Sequence, residues 1–161
     1  MNYQDELKGE QIANKKFSSD RFIGANLKFT SFTKCIFENC DFSGVLFDGT
    51  SFEDCSFPGS KLSNLDFAPA IFIKCNFAHS VVENSIFQKI KLGSKSETGR
   101  YDLRECVFAE VSLLNTIWVK CDLEKINFEN AKLSGGIFDR CKLTKASFKG
   151  ADISGTNFET S

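Results

Sequence analysis

The feature that most constrains this chain is a period of five. From Phe17, every fifth residue is apolar: Phe22, Leu27, Phe32, Phe37, Phe42, Phe47 and onward to Phe87 and Leu92. The step fails once, resumes at Leu103 and runs to Phe158. All 28 of these central positions are apolar, and they hold 17 of the 18 Phe, so the count of Phe is a property of the repeat. Two residues before the centre, 22 of the 28 sites hold Ala, Cys, Ser, Thr, Gly or Val, including all seven Cys. A period of five suits neither a helix of 3.6 residues per turn nor a strand that alternates every two. It needs a backbone that turns a corner every five residues, so that a large and a small side chain both point inward. Four such segments close a square coil of 20 residues, and successive coils hydrogen-bond like neighbouring strands.

The residue just before the centre is often Asp or Asn, as in Asp41, Asp66, Asn76, Asp122, Asn127 and Asp152. Small residue, Asp or Asn, Leu or Phe, then two variable residues: the pattern resembles the pentapeptide-repeat family. Ala25-Asn26-Leu27-Lys28-Phe29 and Ala151-Asp152-Ile153-Ser154-Gly155 carry it. The resemblance covers about residues 12 to 158. It implies an all-β fold, the family's right-handed quadrilateral β-helix.

The break fixes the expected register. From Leu92 to Leu103 is 11 residues, where five would continue the pattern. Either six residues are inserted, or one degenerate repeat carries one extra residue. Cys35, Cys55 and Cys75 are spaced by 20, and so are Cys121 and Cys141. A six-residue insertion keeps all five in one column, so we expect one projecting loop within residues 93–100. The chain then reads as a single domain, 1–161. Residues 1–20 form an N-terminal cap with irregular first repeats, and coils occupy 21–92 and 101–158. Seven coils at about 4.8 Å each make a rod of about 34 Å. The last coil, at Leu143, Phe148, Ile153 and Phe158, has no polar cap after it. An open coil offers unpaired backbone and bare core side chains, so a homodimer joined there is expected.

Composition excludes several roles. Twenty Lys and Arg nearly balance 21 Asp and Glu, which gives no bulk attraction to nucleic acid or anionic membrane. No apolar run is long enough to span a bilayer, and the start lacks a signal-peptide pattern, so a cytoplasmic protein is expected. The Cys spacing is that of the repeat, and no C-x-x-C or His pair accompanies it, so no metal site is expected. The thiols read as small, buried, reduced filler. His79, the one His, occupies an outward site without a partner in sequence. No catalytic motif is present, and we expect neither an enzyme nor a cofactor.

The outward residues carry the functional reading. On the six-residue register, Ile71, Ile73, Ile117, Val119 and Ile137 cluster on one face, and Lys34, Lys74, Lys120 and Arg140 line its edge. Such an apolar strip edged by basic residues is a candidate protein-partner surface. Leu46, Ile86, Leu114 and Phe29 form a second outward set. The loop offers Lys95, Glu97 and Arg100 as candidate contacts. The leading expectation is a rigid, non-catalytic interaction module. The alternative comes from the resemblance: some bacterial members of the family confer quinolone resistance by binding DNA gyrase and topoisomerase IV, mimicking DNA. The balanced charge departs from that pattern.

Overall fold

The computed structural model describes residues 3, 6–67, 70–88, 101–102, 106–159 and 161. Its strands are β1 (Gln11–Ala13), β2 (Lys16–Ser18), β3 (Ser31–Thr33), β4 (Ile36–Glu38), β5 (Ser51–Glu53), β6 (Ile71–Ile73), β7 (Ile86–Gln88), β8 (Tyr101–Asp102), β9 (Ile117–Val119), β10 (Cys121–Asp122) and β11 (Ile137–Asp139). No helix occurs among the described residues. Every pairing is parallel, and away from the break partners lie 20 residues apart, as in Ile12↔Phe32 and Phe32↔Phe52. Isolated parallel bridges such as Asp41↔Lys61 extend the same ladder along the other sides. The fold is the four-sided β-solenoid that the period of five calls for.

The centres stack in columns, one per side. The second side stacks Phe17, Phe37, Phe57 and Phe77 with ring centroids 4.9, 5.1 and 4.9 Å apart, then continues through Phe108, Phe128 and Phe148. The first side holds Ile12, Phe32, Phe52 and Phe72, and later Leu123 and Leu143. The third side runs from Phe22 and Phe42 to Ile153, and the fourth from Leu27 and Phe47 to Phe138 and Phe158. Most of these side chains are fully buried. The Phe pairs mix stacked and edge-on contacts, the arrangements that the ring quadrupole favours.

The corners explain the other half of the repeat. Every described residue with positive φ stands two places after a centre, and 17 of them are not glycine, six being Asn. Asn tolerates this left-handed backbone better than most residues. On the third side and elsewhere the turn closes by a hydrogen bond to the centre's carbonyl, as in Ala25 N–H to Phe22 O at 2.7 Å. A positive φ at the third residue of such a turn is the type II geometry. The small residue is not mere filler. Its hydroxyl or thiol donates to the carbonyl of a centre one coil back: Thr50 Oγ1 to Leu27 O at 2.7 Å, Ser60 Oγ to Phe37 O at 2.6 Å, Cys55 Sγ to Phe32 O at 3.5 Å. The coils are thus tied by side chains as well as by backbone.

Across the break the register differs from the expectation. Asn76 bridges Val107, Val81 bridges Ser112, and Ile86 pairs with Ile117, each 31 positions away rather than 20. The small-residue bond changes by the same amount: Cys75 reaches Phe52 O, 23 back, but Cys106 reaches Phe72 O, 34 back. The register therefore advances by eleven extra residues, not six. The expected loop at 93–100, and Leu92 as a centre, lie outside the described residues. The five-Cys column divides: Cys35, Cys55, Cys75 and Cys106 share the second side, Cys121 and Cys141 the first, and Cys40 the third. Six and eleven differ by one whole repeat, so both keep every centre inward. Stacking separates them. The observed register puts Phe108 on Phe77 at 4.7 Å and Trp118 on Phe87 at 4.0 Å, whereas the six-residue register would set Phe108 on Val82 and Leu113 on Phe87.

The two ends differ. Tyr3 is 5% exposed and closes the first coil, stacked on Phe22 at 4.9 Å and edge-on to Phe17 at 5.8 Å. β1 and β2 pair with β3 and β4, so regular pairing begins within residues 1–20. At the other end Leu143, Phe148 and Phe158 are only partly buried and Ile153 is 46% exposed.

Candidate partner-binding surface

The register change rearranges the expected apolar strip. Ile71 and Ile73 (β6) pair with Ser51 and Glu53 on the first side, and Lys74 follows at its corner. They help line a shallow groove of about 570 Å³ with Ser31, Thr33 and Gln11. Ile117, Val119 and Ile137 lie on the fourth side, with Lys120 and Arg140 at its corner. The single strip of five aliphatics and its basic line are therefore two separate patches. What the structure brings together instead is Ile86, Ile117 and Ile137, in register on β7, β9 and β11. Ile137 is 42% exposed, and Ile86 and Ile117 are half-buried. Leu46 stands on the same side, separated from Ile86 by Asp66, while Leu114 falls on the third side. Phe29, 68% exposed, sits at the fourth side's corner with φ of 60°. The matching of aromatic centres across the break would have revealed the ladder from sequence.

Charges gather beside it. Arg140 makes a bidentate pair with Asp139, with Nη2 2.6 Å from Oδ2, and that hydrogen bonding raises the guanidinium's pKa. Lys142 pairs with Glu124, and Lys125 lies 3.9 Å from the same carboxylate. Asp122, nearly buried on the first side, accepts the Glu124 N–H at 3.2 Å. The ladder's other edge, at Asn84, Asn115 and Gly135, carries no charge.

The remaining chemistry is sparse. All seven Cys are buried and none is joined in a disulfide. Burial pushes the Cys40 thiol up to about 11 and the Cys55 thiol up to about 12, and drives Cys75 and Cys121 well above the usual thiol value. Such thiols stay protonated and unreactive near neutrality. No group of three or more His, Cys, Asp or Glu among the described residues is placed to hold a metal. His79 does have a neighbour, Glu110, at 3.2 Å, in an exposed pair. No helix among the described residues is long and apolar enough to cross a membrane. Lys95, Glu97 and Arg100 lie outside the described residues.

Residues 1–82 match the family model described as the SV2A/B/C luminal domain, and residues 121–159 match that of pentapeptide repeats (8 copies). No curated protein sequence matches significantly. Among solved structures, full-length QnrB1, a plasmid-mediated fluoroquinolone resistance protein, aligns at 20% identity and a TM-score of 0.53 over 97% of this chain and 89% of its own. HetL, a pentapeptide-repeat protein involved in heterocyst differentiation regulation in the cyanobacterium Nostoc sp. strain PCC 7120, aligns at 15% identity and a TM-score of 0.49 over 97% and 85%. At 20% identity the likeness to QnrB1 concerns the fold alone. The period of the span matched by the repeat model runs on through one continuous core into the rest of the described residues, and the chain belongs to the pentapeptide-repeat proteins.

Proposed function

We propose that the protein is a non-catalytic interaction module that binds another protein through the fourth side of its solenoid. The observation that carries this reading is the in-register ladder of Ile86, Ile117 and Ile137, aliphatic side chains held at an open surface by a rigid sheet. A lone exposed aliphatic is ordinary, but an aligned set is the mark of a recognition surface. The inert thiols and the dispersed titratable groups fit a binding role rather than catalysis. Buried Cys outside any disulfide also fit a reducing compartment such as the cytoplasm.

The test is affinity capture and cross-linking with purified wild-type protein beside an Ile117→Lys/Ile137→Lys variant, with Trp118 emission as the check on folding. A partner retained by the wild type and lost by the folded variant supports the reading; equal capture by both refutes it. A gyrase supercoiling assay with and without a fluoroquinolone runs alongside. QnrB1 shares the fold, but 20 Lys and Arg against 21 Asp and Glu give no DNA-like acidic rod here. We therefore expect no effect on gyrase.

A further inference from the structure

We infer that the occupant of the isoleucine ladder is an amphipathic helix of the partner, laid along the solenoid axis with acidic residues on one flank. This inference rests on the ladder being the binding surface. The shape of the patch argues for a helix. Its apolar part narrows to a single file: in the companion column of the same strands Val119 is followed by Asp139. A surface one side chain wide suits the narrow apolar stripe of one helix better than the flat face of a second sheet.

Spacing points the same way. Successive coils are about 4.8 Å apart, so the three rungs span about 9.6 Å. A helix rises about 1.5 Å per residue, which places i, i+3 and i+7 over about 10.5 Å. An extended strand laid along the same axis shows same-face residues every ~6.7 Å and loses register after one rung.

Charge sets the flank. The corner on one edge of the ladder carries Lys120 and Arg140, and the first side beyond it carries Lys125, Lys142 and Lys145. Against these five cations the described side chains there supply Asp122, Glu124, Asp139 and Glu159, a surplus of one positive charge. The opposite corner, at Asn84, Asn115 and Gly135, is uncharged, and the third side beyond it carries Glu83, Lys132 and Asp152, one negative charge in surplus. Complementary charge of this kind orients a partner and sets its preference more than it adds affinity.

The probe is a synthetic helical peptide of about five turns. It has Leu at i, i+3 and i+7 and Glu along one flank, and a second peptide carries Lys in place of each Glu. Fluorescence anisotropy against the full chain at physiological salt reads both. The expected result is binding of the Glu peptide, about tenfold weaker for the Lys peptide and about tenfold weaker for Ile117→Lys. A Lys120→Glu/Arg140→Glu variant should reverse the preference between the peptides. Absence of binding at high micromolar peptide, binding that ignores Ile117→Lys and Ile137→Lys, or a preference for the Lys peptide in the wild type would overturn the inference. If capture of a protein partner still depends on Ile117 while the peptide fails, the binding surface stands and only the helical occupant is wrong.

Discussion

The small inward residue can be tested at Cys55. If its thiol is a hydrogen-bonding rung, Cys55→Ser should be tolerated and Cys55→Ala should not. Cys55 Sγ donates to Phe32 O at 3.5 Å and takes the Cys35 N–H at 3.4 Å. Ser60 does the same work one repeat on, donating to Phe37 O at 2.6 Å and accepting the Cys40 N–H at 2.9 Å. Alanine would leave a buried N–H and a buried carbonyl without their partner. Leaving such groups unsatisfied costs about 1–3 kcal/mol, against less than about 1 kcal/mol for serine. Urea unfolding followed by the emission of Trp118, fully buried on Phe87, reads both variants. A repeat solenoid unfolds through nearest-neighbour contacts, so the midpoint must be compared at equal slope. Stability in the order wild type, Ala, Ser would refute the reasoning and return the cysteines to the role of apolar filler.

Other outcomes follow from the same geometry. Burial raises the Cys40 and Cys55 thiol pKa values, so their protonated form favours the folded state: this stability is complete below about pH 9 and is lost as pH rises toward about 11 and about 12. Urea midpoints across this range should fall less steeply in Cys40→Ser/Cys55→Ser, and identical profiles would contradict the assignment. Iodoacetamide at neutral pH should label none of the seven thiols in the native protein and all of them in urea; fast native labelling would show that the core is open. A double-mutant cycle on Phe77→Leu and Phe108→Leu should show coupling of about 0.5–1.5 kcal/mol, the worth of a stacked pair, and strict additivity would separate the two rings.

Much of the fold is legible in the sequence because the repeat states the inward and outward positions twice, once in the Phe column and once in the small residue before it. The corners, at Asn39, Asn84 and Asn115 among others, are not, because the repeat marks the places after each centre only as variable. The register across the break is not, because phase alone cannot distinguish six residues from eleven. Cysteine spacing misleads there. Ser, Thr and Cys all serve as the rung, so a column of Cys has no reason to continue on one side. Ring size is the better guide, since Phe77 meets Phe108 and Phe87 meets Trp118 without a step in the core. The candidate surface follows the same logic. Ile117 and Ile137 are visible as outward aliphatics in sequence, but joining them to Ile86 rather than to Ile71 depends wholly on the register.

That register is therefore the claim to test first. Asn84 and Asn115 are exposed corner residues whose side chains meet, Nδ2 of Asn115 donating to Oδ1 of Asn84 at 3.2 Å. On a six-residue insertion Asn84 would instead face Glu110. Two double variants, Asn84→Cys/Asn115→Cys and Asn84→Cys/Glu110→Cys, are oxidised mildly in the otherwise native protein, whose own thiols are buried. A register advanced by eleven residues predicts a rapid intramolecular disulfide in the first and none in the second. A disulfide in the second alone would contradict the register, and with it the isoleucine ladder and the binding surface built on it.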